Sequence, residues 1–217
     1  MTEQVNAGKA KIIYVYDALC GWCYGFSPFI REIRDEYADE FDFDIISGGM
    51  VLDEREGLVQ PDMSAYILNA IPRVEEYTGI QFGESHKQQL RDGTLFQSSV
   101  KPAVALTLFK TILPEKAFRF AADMQRSFFY EGHNLEDDST YASILQAYAV
   151  DLPGFLTQLA SDKYKYLAYR EFEQVQQWGV TGFPALIGQK QGHYYWLSNG
   201  YQPYQQLKKL VEEFRII

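Results

Sequence analysis

An α/β protein is what this 217-residue sequence predicts, with a β-α-β unit at one end, a β-β-α unit at the other and a long block of helices between them. Three observations carry that prediction. A run of β-branched and aromatic residues, KIIYVY, stands near the start; apolar residues then recur at helical spacing through the middle; and strand signals return only after Gly179.

Lys11–Tyr16 is a continuous apolar run of the kind that marks a strand buried on both faces. From Cys23 to Tyr37 the period changes, and Phe26, Ile30, Ile33 and Tyr37 fall on one side of a helix. Phe41–Ile46, FDFDII, alternates apolar and acidic positions as a half-buried strand does, and Gly48-Gly49 closes a unit of the right length for a parallel crossover. Between Met63 and Trp178 the pattern holds helices and no convincing strand. One helix begins after Lys101-Pro102. A second runs from Pro114 to just before Gly132, with Ala117, Ala121, Met124 and Phe128 along one side. A third follows the capping cluster Asp137-Asp138-Ser139, where Glu136–Asp138 reads as a solvated helix entrance. Leu152-Pro153 opens a fourth, and a fifth runs from Asp162 to Trp178 and stops at Gly179. The predicted division is a discontinuous domain, residues 1–62 and 179–217, with a helical domain of residues 63–178 inserted after the second strand. Pro184–Gly188, the turn-like QKQG and HYYWL read as a hairpin. A last helix, Pro203–Phe214, puts Leu207, Leu210, Val211 and Phe214 on one face.

Hydrophobic residues make up 47% of the chain, which excludes a disordered polymer, and aromatics reach 16%, enough for a core and an apolar groove beside it. Twenty Lys and Arg against 29 Asp and Glu give a formal charge of -9, so phosphate backbones are repelled and nucleic acid is not an expected partner. No apolar run is long enough to span a membrane. The N-terminus lacks a basic start followed by an apolar stretch and a small-residue cleavage site, so the expected location is the cytoplasm.

Cys20 and Cys23, in DALCGWCYGF, are the only cysteines. Two cysteines cannot scaffold a chain of this size, and CxxC in a reducing compartment points to metal binding or catalysis. Cys20 stands where a strand hands over to a helix, and the unpaired N–H groups and positive dipole end there favour a thiolate. Cys23 lies almost one turn on, on the same side, where it can close a disulfide with Cys20. The pair reads as an attacking sulfur at the helix tip and a resolving sulfur just inside it. A zinc site needs about four ligands. His86, His133 and His193 lack the spacing to complete one, so no metal is expected. The blander alternative, two buried small hydrophobes, is weakened by the strand-to-helix junction.

Three further positions bear on the site. VTGFPALI places Phe183-Pro184 at the head of a strand, where the donor that proline lacks is tolerated. Asp17 reads as a cap of the helix, or as a proton relay if it approaches the thiols. Trp22 is expected beside the nucleophile, exposed in the loop, either covering the helix start or touching substrate.

Together, YVYDALCGWCYGF, the long helical insert and GVTGFPALIG resemble the DsbA-like branch of the thioredoxin fold. Within that branch the chain is similar to the cytoplasmic FrnE-type oxidoreductases, relatives of hydroxychromene-carboxylate isomerases and kappa-class glutathione transferases. The resemblance covers nearly the whole chain in element order. It implies a thioredoxin-like fold with a large all-helical domain inserted after the second strand. It also implies Cys20 as nucleophile, Cys23 as resolving thiol, and Pro184 as a cis-proline facing the dithiol. The backbone of Phe183 would then pair with an extended substrate strand. The implied activity is thiol–disulfide exchange or disulfide isomerisation on protein or small-molecule thiols and disulfides. No cofactor is implied beyond glutathione as a co-substrate, and the chain would act as a monomer or homodimer. Two alternatives use the same scaffold: a glutathione-dependent transferase or isomerase, and a non-enzymatic adaptor that holds another protein. The dipeptide Gly21-Trp22 departs from the Pro-His of the oxidising periplasmic members, and Ala18 stands where relatives often carry proline. Without a cation beside Cys20, and with Asp17 close by, the expected disulfide is less oxidising than that of DsbA.

Overall fold

A computed structural model describes residues 9–217; the reading of the N-terminus as leaderless falls partly on residues 1–8, which lie outside the described residues. In chain order the first half comprises β1 (Lys11–Tyr16), α1 (Gly21–Glu36), β2 (Asp42–Ser47), β3 (Gly57–Leu58), α2 (Pro61–Thr78), α3 (Glu84–Asp92) and β4 (Phe96–Gln97). There follow α4 (Val100–Ile112), α5 (Ala117–Arg126), α6 (Asp138–Leu145), α7 (Leu152–Leu159) and α8 (Asp162–Gln177). The chain closes with β5 (Ala185–Lys190), β6 (His193–Asn199) and α9 (Tyr204–Ile216).

Strand β1 is central because every residue from Ile12 to Tyr16 is buried. It pairs in parallel with β2 and antiparallel with β5, and β5 carries the edge strand β6, giving the order β2-β1-β5-β6. The two-residue period sorts its side chains onto two faces. Ile12, Tyr14 and Tyr16 join a core with Phe26, Ile30 and Ile33 of α1 and Leu207, Val211 and Phe214 of α9. Ile13 and Val15 join Ile46, Val175, Val180 and Ile187 on the other side. The helices between the strands share the first of these cores: Phe109 and Phe120 stack within it at 4.1 Å.

Several elements differ from their sequence expectations, each for a physical reason. β2 does not alternate: its second half, Ile45–Ser47, is wholly buried beneath the helices. The Asp44 carboxylate and that of Glu171 each lie 3.0 Å from Lys110 Nζ, which also donates to the Ile45 carbonyl at 2.7 Å. Burial works against the Lys110 charge, but the two carboxylates outweigh it and hold its pKa up. One cation thereby ties α4 to β2 and α8.

The helical stretch begins at Pro61, in the first-turn position that proline tolerates, and is interrupted by the two-residue strand β4, which pairs with β3. Two residues are too few to show a period. Helix α4 starts at Val100, before Pro102 rather than after it, because a proline in the first turn loses an N–H that has no partner in any case. Glu136 is not solvated: burial pushes its carboxyl pKa up, and its carbonyl accepts from Lys101 Nζ. The last hairpin is tighter than QKQG, since the turn is Gln191-Gly192 alone, both at positive φ (52 and 81) as a type I′ turn requires.

Candidate active site

Cys20 is the N-cap of α1, with φ -87 and ψ 111, so its backbone is extended while the next residue is helical. Its Sγ takes the place of the usual capping oxygen and accepts from the Cys23 N–H at 3.2 Å. The same sulfur lies 3.5 Å from the Phe183 carbonyl, to which its thiol donates. Both cysteines are free; Cys20 is 6% exposed and Cys23 0%. Burial pushes the Cys23 thiol well above the ordinary range, and the hydrogen bond and charge of Cys20 push it further. The two sulfurs therefore differ in access, and Cys23 stays protonated until something takes its proton.

Asp17 does not cap α1. Its buried carboxylate accepts instead from Leu19 N at 2.9 Å, Met50 N at 2.8 Å and the Ser99 hydroxyl at 3.0 Å, while its carbonyl accepts from Gln125 Nε2 at 3.1 Å. The cap is already supplied by Cys20, and Asp17 sits three residues before that position, too early to reach the first free N–H groups of the helix. Burial raises the Asp17 pKa against the hydrogen bonds that lower it. No hydrogen bond among the described residues joins its carboxylate to either sulfur. What it does is fix the strand-to-helix loop to the β2–β3 segment and to the start of α4.

Phe183-Pro184 has a cis peptide bond. It holds the Phe183 carbonyl beside Cys20, and the Phe183 ring packs on Gly48, where an added Cβ would lie 2.0 Å from the ring. Only glycine admits that approach. Trp22 is not an exposed loop residue: it is the second residue of α1, half-buried, 5.4 Å from the Tyr201 ring and edge-on to Tyr77 at 6.2 Å. It still borders the groove that leads to Cys20.

That groove has a volume of about 1210 Å³. Its walls come from the Gly48–Gln60 segment, the inner side of α2, part of α8 and the Thr181–Phe183 loop. The sequence pattern predicts an apolar groove but not the residues that line it, since its first separate helix in this block begins only after Lys101-Pro102, beyond α2. Two partners of the site had no readable signal. Ser99 and Gln125 are 82 and 108 residues from Asp17. His86 is fully buried among Phe82, Phe128 and Phe129, and neither ring nitrogen has a hydrogen-bond partner among the described residues. Burial lowers its pKa to about 4, so it is neutral at physiological pH. Among the described residues no three His, Cys, Asp or Glu side chains gather as a metal ion requires. No helix among them is long and apolar enough to cross a membrane.

Three kinds of comparison bear on this arrangement. The family model described as a DSBA-like thioredoxin domain matches residues 11–212. Among solved structures, one from Nitrosomonas europaea, named a "putative protein disulfide isomerase", superposes with a TM-score of 0.86 at 27% identity, covering 95% of this chain and 97% of that one. The cytosolic disulfide reductase DsbM from Pseudomonas aeruginosa superposes with a TM-score of 0.72 at 22% identity, covering 95% of each chain. A second structure of DsbM, with GSH, gives 0.71 at 19% identity, covering 95% of this chain and 96% of that one. No curated protein matches the sequence.

Proposed function

This chain belongs to the DSBA-like thioredoxin domain family of thiol–disulfide oxidoreductases, and from that premise we propose that it exchanges disulfides through Cys20 and Cys23. The observation that carries the proposal is the cap of α1. A sulfur that accepts a backbone N–H at a helix N-terminus is placed where negative charge is favoured, and it faces a groove. The Cys20 thiolate attacks a substrate disulfide, forms a mixed disulfide and releases one half of the substrate as a thiolate. Cys23 gives up its proton to a thiolate and attacks Cys20 Sγ. The intramolecular disulfide forms, the second half of the substrate leaves, and two electrons have passed from the dithiol to the substrate. Cys23, held as a thiol by burial, is suited to act second.

The Phe183 carbonyl, with Pro184 holding the loop, offers a backbone edge to an extended substrate, and Trp22 lines the approach. Asp17 serves as a positioning residue for the loop. Two equivalents of an external thiol return the disulfide to the dithiol and leave as their own disulfide. Glutathione is one such thiol, and DsbM has been solved with GSH. The cytoplasm, where such thiols are kept reduced, is the proposed location; DsbM is named as cytosolic.

Trapping tests the proposal. Cys23→Ser is expected to accumulate covalent mixed disulfides through Cys20, seen as thiol-sensitive bands in its own cells. Cys20→Ser is expected to trap nothing and to lose disulfide reductase activity. Full activity in Cys20→Ser would overturn the assignment, and full turnover of a glutathione conjugate by Cys23→Ser would favour a transferase.

A further inference from the structure

We propose that the groove selects its disulfides by charge, accepting apolar peptide segments with neutral or cationic flanks and disfavouring anionic disulfides such as that of glutathione. The inference rests on the oxidoreductase reading and concerns which substrates reach Cys20.

Among the described residues, the charged ones lining the groove are Asp53, Glu54, Glu56, Asp62 and Glu173 against a single cation, Arg55. They come from separate walls: the turn after β2, the first turn of α2 and the groove-lining part of α8. Asp53, Glu54, Asp62 and Glu173 are exposed. Among the described residues, Asp53, Glu54 and Asp62 take part in no ion pair, whereas Glu173 has Arg170 at 3.0 Å. The Glu56 carboxylate is occupied by the Asp53 N–H at 3.0 Å and the Ser98 hydroxyl at 2.5 Å. The deeper wall is apolar, with Val51, Ile67, Ile71 and Phe172. His86, also part of the wall, adds no positive charge at neutral pH, because burial lowers its pKa to about 4.

Charges of one sign around a cleft with apolar walls concentrate their field inside it, and such steering changes encounter rates by about 10- to 1000-fold at low salt. Cys20 is only 6% exposed, so a disulfide meets this field on its way to the sulfur. Glutathione carries more carboxylates than amines, as disulfide and as thiol, so it approaches more slowly than a cationic peptide and recycles the dithiol through its high concentration in a reducing compartment. A peptide with lysine beside its cysteine is drawn in, and its apolar residues have the deep wall to cover.

Three peptide disulfides test this, identical in sequence except for a Lys, Gln or Glu placed several residues from the cysteine, with each rate constant divided by that for the same peptide and dithiothreitol so that the acidity of the leaving thiol cancels. Rate constants for the full chain are expected in the order Lys, Gln, Glu, with about tenfold between the ends at low ionic strength. The spread should close as salt shortens the Debye length from about 10 Å at 0.1 M towards about 3 Å at 1 M. Neutralising the rim with Glu54→Gln, Asp62→Asn and Glu173→Gln together is expected to bring the Lys-to-Glu ratio towards one; the salt series on the unaltered chain stands by itself if that variant fails to fold. Equal rates, or a preference for Glu, would overturn the inference while leaving the oxidoreductase reading intact. A chain inert to all three peptides and to neutral hydroxyethyl disulfide would overturn both.

Discussion

Cys20 and Cys23 are three residues apart and have different chemistry. Cys20 has some exposure and a groove in front of it; Cys23 has none, and burial holds its thiol up. Brief iodoacetamide treatment at neutral pH is therefore expected to label Cys20 before Cys23, read by peptide mass mapping; faster labelling of Cys23 would reverse their roles. His86 makes a second prediction at this scale. Its folded pKa, about 4, lies below the ordinary 6.5, so between those values the unfolded chain binds a proton that the folded chain does not. Stability should be unaffected by this group above pH 6.5 and fall as pH drops towards 4, by up to about 3 kcal/mol. His86→Phe should flatten that acid limb, as followed by urea midpoints at several pH values. An unchanged slope would show that His86 is hydrated or paired in solution.

The elements around the dithiol depend on contacts between segments distant in sequence. Ser99, at the start of α4, donates to Asp17 and accepts from Val51 N at 2.9 Å, so one hydroxyl joins the loop before Cys20 to the chain after β2. Ser99→Ala leaves a buried N–H unpaired and removes a donor from a buried carboxylate. The expected cost is about 2 kcal/mol in chemical denaturation, with loss of exchange rate beyond what stability alone explains. A change within about 0.5 kcal/mol would mean the loop is held otherwise. Helix α3 is docked as tightly: a Cβ on Gly83 would lie 1.7 Å from the Tyr130 carbonyl oxygen, part of the π-helical turn Ser127–Glu131. Backbone cannot yield as a side-chain tip does, so Gly83→Ala should destabilise by about 3 kcal/mol and loosen the wall around His86. Amide exchange in α3 measures this.

At the scale of the molecule, charge sets the redox poise. Two-electron potentials of about −120 mV for DsbA and about −270 mV for thioredoxin bracket the range. An oxidising disulfide needs a strongly stabilised dithiol anion. Here the dipeptide between the cysteines carries no cation, burial and the Cys20 sulfur hold the Cys23 thiol up, and the chain has a formal charge of -9. The expected potential lies between those limits, measured by equilibration in glutathione buffers with Trp22 fluorescence as the signal. A value at or above that of DsbA would refute the argument from charge.

The sequence by itself determined what depends on period and spacing. KIIYVY could only be a buried strand, because its apolar residues face both ways. CxxC at its end meets a helix N-terminus, because a continuous apolar run gives way there to apolar residues at helical spacing. The groups that finish the site follow no period. Asp17 reads locally as a helix cap, yet its partners Met50 and Ser99 are 33 and 82 residues away. Trp22 reads as a loop residue, yet Tyr77 of α2 and Tyr201 of the loop before α9 pack against it. The carboxylates around the groove are ordinary surface charges in the sequence and become one field only when α2, α8 and the turn after β2 are brought together. Hydrogen bonds and packing between distant segments are set by the path of the whole chain, and so only the tertiary structure decided them.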